Sequence, residues 1–188
     1  MIADAVGAAQ SGDTVVLLKD CSGGGIALWN KDQKSITIDL NQHTYTVAGD
    51  LVGSANTATQ AFHLEKENTV TIKNGTLTTT ADSGCRMLIQ NYSNLTLTDV
   101  EIDGTHLSGS ASYVVSNNYG TVKLDGSTSI YAPEGWFALD SCGASGSWSG
   151  NTYAPGAVVT VNTTGEITGK VESCSTLKIE NGCFTKSI

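Results

Sequence analysis

One short pattern, repeated six times, constrains this chain more than any other feature. The segments are "SITIDLNQHTYT" from Ser35, "TVTIKNGTLT" from Thr69, "NLTLTDVEID" from Asn94, "TVKLDGSTSIY" from Thr121, "VVTVNTTGEIT" from Val158 and "TLKIENGCFT" from Thr176. Each reads polar or small, apolar, polar, apolar, polar, then a small or polar break, then a second short strand. Only Val158 places an apolar residue first. Alternation of period two is the mark of a strand with one buried face. The break in "NTVTIKNGTLTTT" (Asn68 to Thr80) is Asn-Gly, ordinarily a hairpin signal. Here the strand that follows runs into another turn and then a third strand near Met87 to Ile89, so a hairpin does not account for it. A backbone that turns a corner and keeps winding does, because Asn and Gly tolerate the left-handed conformation corners need.

A second series precedes the template. "IALWN" (from Ile26), "AFHLE" (Ala61), "RMLIQ" (Arg86), "YVVSN" (Tyr113), "FALDS" (Phe137) and "GKVES" (Gly169) each end shortly before the next template strand. The strong strands start at Ile36, Val70, Leu95, Val122, Val159 and Leu177, hence spacings of 34, 25, 27, 37 and 18 residues. That spread suits a wound backbone whose turns accept insertions. Stacking the units places Ile36/Ile38, Val70/Ile72, Leu95/Leu97, Val122/Leu124, Val159/Val161 and Leu177/Ile179 in inward columns. The expectation is an all-β parallel solenoid, each coil burying its apolar residues on its neighbours. With 24 threonines and only 2 prolines, the composition agrees with strand over helix.

These residues resemble the right-handed parallel β-helix of the pectate-lyase-like superfamily, of bacterial or phage surface type. The opening "IADAVGAAQSGDTVVLLKD" is similar to that family's N-terminal cap: a short helix with Ala5, Ala8 and Ala9 on one face, a Gly12-Asp13 stop, then the first strand. "ITIDLNQHTYTV" is similar to its first full coil. The resemblance covers almost the whole chain and implies a single domain, residues 1–188. Residues 1–12 would be the cap and 13–188 about six or seven coils, with a longer insertion at 141–157. The chain stops midway through a coil after "TLKIENGCFTKSI", so the C-terminal coil is expected to be open or truncated, covered by further coils or another subunit.

The enzymes of that superfamily use paired carboxylates, or a cation with a Lys or Arg base, on acidic polysaccharides. Their motif set (Asn-x-Asp, Asp-Asp, Gly-His-Gly, Arg-x-Lys, or Arg-x-Pro-x-x-Arg) is not assembled here, and the chain holds a single arginine, Arg86. No catalytic residue is assigned, and a non-catalytic role is favoured. A formal charge of -8 argues against a nucleic-acid face, which needs clustered cations. No apolar run approaches the ~18–20 residues of a membrane span, and nothing resembles a signal peptide. The strand-end column Asp39, Lys73, Thr98, Asp125, Asn162, Glu180 reads as a solvated face with a surface ion pair. Asp99, Glu101 and Asp103 form an acidic patch, for which calcium is the one cofactor conceivable. The Thr-x-Thr outer faces reflect β-propensity better than ice binding, since Lys123 and Lys178 interrupt them.

The segment "APEGWFALDSCGASGSWSGNTYAPG" from Ala132 concentrates two of the three tryptophans. Loops on a rigid scaffold carry binding residues, and exposed aromatic faces suit sugar rings. The alternative is that these aromatics cover the flank of a coil. Candidate glycan contacts are Trp136, Trp148, Tyr153 and Tyr131, supported by Asp99, Glu101 and Asp103. Cys142 and Cys174 occupy equivalent places in "LDSC" and "VESC", and in-register stacking brings their Cα atoms within reach of a disulfide, the alternative being a stack of free thiols. The leading reading is an extracellular, cell-surface or virion-surface module for adhesion, host contact or particle decoration. A polysaccharide lyase or hydrolase using Asp125, Asp39 or Lys73 is the second, and a purely structural spacer the third.

Overall fold

The computed structural model describes residues 2–54, 57–108, 113–148 and 150–188, the side chains at 148, 151 and 153–155 excepted. In chain order the elements are α1 (Ile2–Ala8), β1 (Thr14–Val16), β2 (Cys21–Gly24), β3 (Ile26–Leu28), β4 (Ser35–Gly49), β5 (Gln60–Leu64), β6 (Thr69–Thr79), β7 (Met87–Asn91) and β8 (Asn94–Asp103). Then come β9 (Tyr113–Asn118), β10 (Thr121–Gly126), β11 (Ser129–Tyr131), β12 (Phe137–Cys142), β13 (Ala144–Trp148), β14 (Asn151–Gly156), β15 (Val158–Thr168), β16 (Lys170–Ser173) and β17 (Thr176–Phe184). Among the described residues the protein is all-β with one short α-helix and a single 3-10 turn at Asn30–Asp32, and its two large sheets are parallel throughout.

The nine-stranded sheet joins β1, β2, β4, β6, β8, β10, β11, β15 and β17; the six-stranded sheet runs β16-β12-β9-β7-β5-β3. From β4 onward the chain alternates between them, and each return pairs with the strand laid down one visit earlier. The long strands bend midway. Asn41, Asn74 and Asp99 have positive φ at the bends (51, 57 and 52), so β4, β6 and β8 each supply two arms to the large sheet. Gly75 follows the bend in β6, where an added Cβ would run into the Leu40 Cβ and the His43 carbonyl. Asn-Gly is therefore the corner of a strand that continues, with both arms of β6 paired in parallel to β4.

The core lies between the sheets. Ile38, Ile72, Leu97, Leu124 and Val161 follow one another in register and are each fully buried. On the second arm Tyr45, Leu77, Ile102, Ile130 and Ile167 do the same. Phe62, Ile89, Val115 and Leu139 close the core from the small sheet, and the Tyr45 and Phe62 rings meet edge to face at 6.5 Å. Each such side chain contributes about 1.5–3 kcal/mol. Leu177 and Ile179 continue the expected inward columns, in register with Val159 and Val161, but are less buried than their predecessors. They are partly and 47% exposed, because β17 is paired on one side alone. The helix also differs: Ile2, Val6 and Ala9 are its buried face, while Ala5 and Ala8 face out. The larger Ile2 and Val6, at i and i+4, turn inward in preference to the alanines, with Ala9 buried just past the helix.

Candidate functional site

The corner where the chain leaves the small sheet for the large one is built on asparagine. Asn68, Asn91 and Asn117 are fully buried there, and their amides satisfy the carbonyls of the turns around them. In the corner after β12 the chain instead throws out an antiparallel hairpin, β13–β14, that carries Trp148 and Tyr153. Cys142 at its root is paired with Cys174, the Cα atoms 5.2 Å apart. Gly143 begins the hairpin at φ +125, and an added Cβ there would lie 2.6 Å from the Tyr119 ring. The hairpin reaches back to a corner three visits earlier, where the Lys66 ammonium donates to the Thr152 carbonyl at 2.6 Å.

Beneath the hairpin lies a cleft of about 410 Å³. Tyr92 and Tyr119, both half-buried, come from successive corners, and hydroxyl and amide side chains from Thr69, Asn94 and Thr121 line the side toward the large sheet. The charged residues among the described lining are Lys66 and Glu67, which face each other at 3.2 Å. The backbone holds the rings in place: the Tyr92 N–H donates to Leu64 O at 2.7 Å and the Tyr119 N–H to Cys142 O at 2.8 Å.

Beside the cleft, one column of the small sheet runs His63, Gln90, Ser116, Asp140, Glu172. His63 is 1% exposed, lies 5.3 Å from the Trp29 ring and 5.9 Å from the Tyr92 ring, and contacts Gln60 and Glu65. Burial lowers its pKa, with Glu65 opposing. Asp140 is 8% exposed. Burial pushes its carboxyl up, the Ser116 hydroxyl donating at 3.2 Å pulls against it, and the negative charge of Glu172 raises it further. The Tyr113 and Phe137 rings stack next to this pair at 5.3 Å.

The candidate residues from the sequence separate into three places. Trp136 lines a smaller hollow of about 270 Å³ with Lys170 and Lys186. Tyr131 lies in register with Asp103 on the large sheet. Asp99 and Glu101 line a shallow depression of about 290 Å³ on the same sheet. Their carboxylates serve the turns: Asp99 accepts from the Ser127 N–H and hydroxyl, and Asp103 from the Thr105 N–H and hydroxyl. Burial raises the Glu101 carboxyl, with Asp103 adding to it. The backbones of Trp148 and Tyr153 belong to the hairpin, and their side chains lie outside the described residues. Asp39 pairs with Lys73 at 3.3 Å. Burial would raise the Asp39 carboxyl, but hydrogen bonds from Asn41, Asn74 and Lys73 outweigh it and hold it low. Asp125 is held low chiefly by Lys123 at 2.7 Å. Glu180 falls out of the strand-end column, because a bulge sets Asn162 opposite Asn181.

Sequence reasoning missed Tyr92, Tyr119 and Lys66. A signal was present: "NYSN" and "NNYG" each place a tyrosine just after the corner asparagine in successive units. Asp140 and Glu172 were also legible, two residues before the equivalent cysteines in "LDSC" and "VESC". No protein-family model matches the chain, and no curated protein or solved structure shows significant similarity to it.

Proposed function

We propose that the chain is a right-handed parallel β-helix of the pectate-lyase-like kind, acting as a non-catalytic module on an extracellular, cell or virion surface, where it contacts glycans. Support for the finer fold comes from the in-register return of each strand to its predecessor in two parallel sheets. The observation that carries the function is the hairpin lifted off this frame, bearing Trp148 and Tyr153 and roofing a cleft that contains Tyr92 and Tyr119. A rigid scaffold that presents aromatic and hydroxyl groups in a concavity suits a sugar, whose ring faces are apolar and whose rim is polar. A glycan array of the purified chain, run beside Trp148→Ala/Tyr153→Ala, tests it. Binding that is lost in the double variant is expected. Absence of binding to any glycan would leave a spacer as the better account.

A second reading, a polysaccharide hydrolase or lyase, is favoured by one feature: the buried Asp140 beside Glu172, next to the Tyr113–Phe137 stack. A carboxyl whose pKa is raised beside a second carboxylate is the pairing that glycoside hydrolysis uses. Release of new reducing ends from a polysaccharide by the wild type, abolished in Asp140→Asn, would favour this reading over the first.

A further inference from the structure

We infer that the cleft under the hairpin takes an uncharged saccharide, with the Tyr92 and Tyr119 rings as its platform. This rests on the reading of the chain as a glycan-contacting module and names the site and the ligand class.

The argument is one of charge and of preorganisation. Both charged residues in the described lining are already committed: Lys66 faces Glu67 at 3.2 Å and donates to the Thr152 carbonyl at 2.6 Å. A carboxylated or sulfated sugar would have to break that pairing to gain a cation, in a protein whose formal charge is -8. Beside the two rings, the rest of the described lining is hydroxyls, amides and backbone: Ser93 and Thr121 donate to Asn91 and Asn94, and the Thr69 hydroxyl and Asn94 amide offer donor and acceptor roles to sugar hydroxyls. A lipid-like ligand would desolvate the lining groups that the protein does not pair internally, at about 1–3 kcal/mol each.

The platform is rigid before any ligand arrives. The Tyr92 hydroxyl takes a hydrogen bond from Gln90 at 3.1 Å, and Tyr119 packs against Gly143 at the hairpin root. Ring positions fixed in advance lower the ordering cost of binding. A volume of about 410 Å³ lies in the ~300–1,000 Å³ range of ligand sites.

The test titrates the full chain with two matched sets of oligosaccharides, neutral and uronic, by calorimetry or saturation-transfer NMR. Variants are Tyr92→Ala, which removes one ring, and Thr69→Arg, which keeps both rings and fills the cleft from an exposed position. Lys178→Ala, on β17 of the same large sheet but outside the cleft lining, is the control, and unchanged melting shows that each variant is folded. Neutral saccharides should bind at least about tenfold more tightly than uronic ones, and both variants should weaken them by about tenfold or more while Lys178→Ala does not. Equal or tighter binding of uronates, or binding that survives both variants, overturns the inference and leaves the glycan-contacting function standing. No binding of either set overturns both.

Discussion

The Asn91 amide donates to the side-chain oxygen of Asn117 at 2.9 Å, and both residues are fully buried. Asn117 passes the bond on, donating to the Gly120 carbonyl and to the Ser141 hydroxyl at 3.1 Å. Three successive units are thus tied together by polar side chains inside an otherwise apolar frame. Asn117→Ala strands the Gly120 carbonyl and removes an acceptor from Asn91, which should cost about 1–3 kcal/mol. For a chain of this size that is a fall in Tm of roughly 2–4 °C per kcal/mol. Thermal melts check it, and a Tm unchanged by the substitution would mean that water or neighbouring groups make good the corner.

Asn74 and Gly75 allow opposite substitutions. Asn74 sits at φ 57, so Asn74→Gly should be tolerated apart from the bond it makes to Asp39 at 3.1 Å. Asn74→Ala adds the left-handed penalty of about 1–2 kcal/mol. Gly75→Ala should be the worst of the three, because its Cβ meets the Leu40 Cβ and a backbone carbonyl rather than a movable side-chain tip. The order of denaturation midpoints, Asn74→Gly above Asn74→Ala above Gly75→Ala, is the measurement; any other order contradicts the geometry of this corner.

The frame was legible because its signal repeats. Columns such as Ile38, Ile72, Leu97, Leu124 and Val161 alternate with polar partners, and period two is a property of the backbone itself. The small-sheet strands were legible too, as the short apolar runs around Phe62, Ile89, Val115 and Leu139. The corner asparagines were not, since a buried Asn looks like any turn residue until its partners across the units are known. The cleft was legible only in part. The hairpin stood out as an insertion, but Tyr92 and Tyr119 belong to corners of ordinary length, and only the hairpin's folding back onto Lys66 gathers them. Depth misled as well: Asp140 alternates as an outward residue, yet it is buried, as are His63 and Ser116 in the same column.

Cys142 and Cys174, paired across neighbouring strands, close a loop with a sequence separation of 32 residues at the root of the hairpin. Loop entropy assigns such a link about 3–4 kcal/mol. Reduction, or Cys174→Ser, should therefore lower the melting temperature by several degrees, and thiol counting on the unfolded, unreduced protein should find Cys21, Cys85 and Cys183 alone. Finding five free thiols in protein kept from reductant would remove the link and its stabilisation together.

Asp140 sets the sign of a pH effect. Burial first, then Glu172, raise its carboxyl above the ordinary aspartate value of 3.8, so the folded state holds a proton that the unfolded chain releases. Tyr113 also faces this pair, with its own pKa raised by burial and by the two carboxylates. For a group shifted upward on folding, the favourable contribution is complete below the unfolded value and is lost as pH rises through the folded one. Stability should therefore decline with rising pH across the window that begins near 3.8 and extends upward. Asp140→Asn removes the charge while its amide oxygen still accepts from the Ser116 hydroxyl. The variant should then melt above the wild type at pH 7 and close to it at pH 3. An equal difference at both pH values would show that the carboxylate is not strained by its burial, and a variant less stable at pH 7 would mean that the charged form is the one the fold prefers.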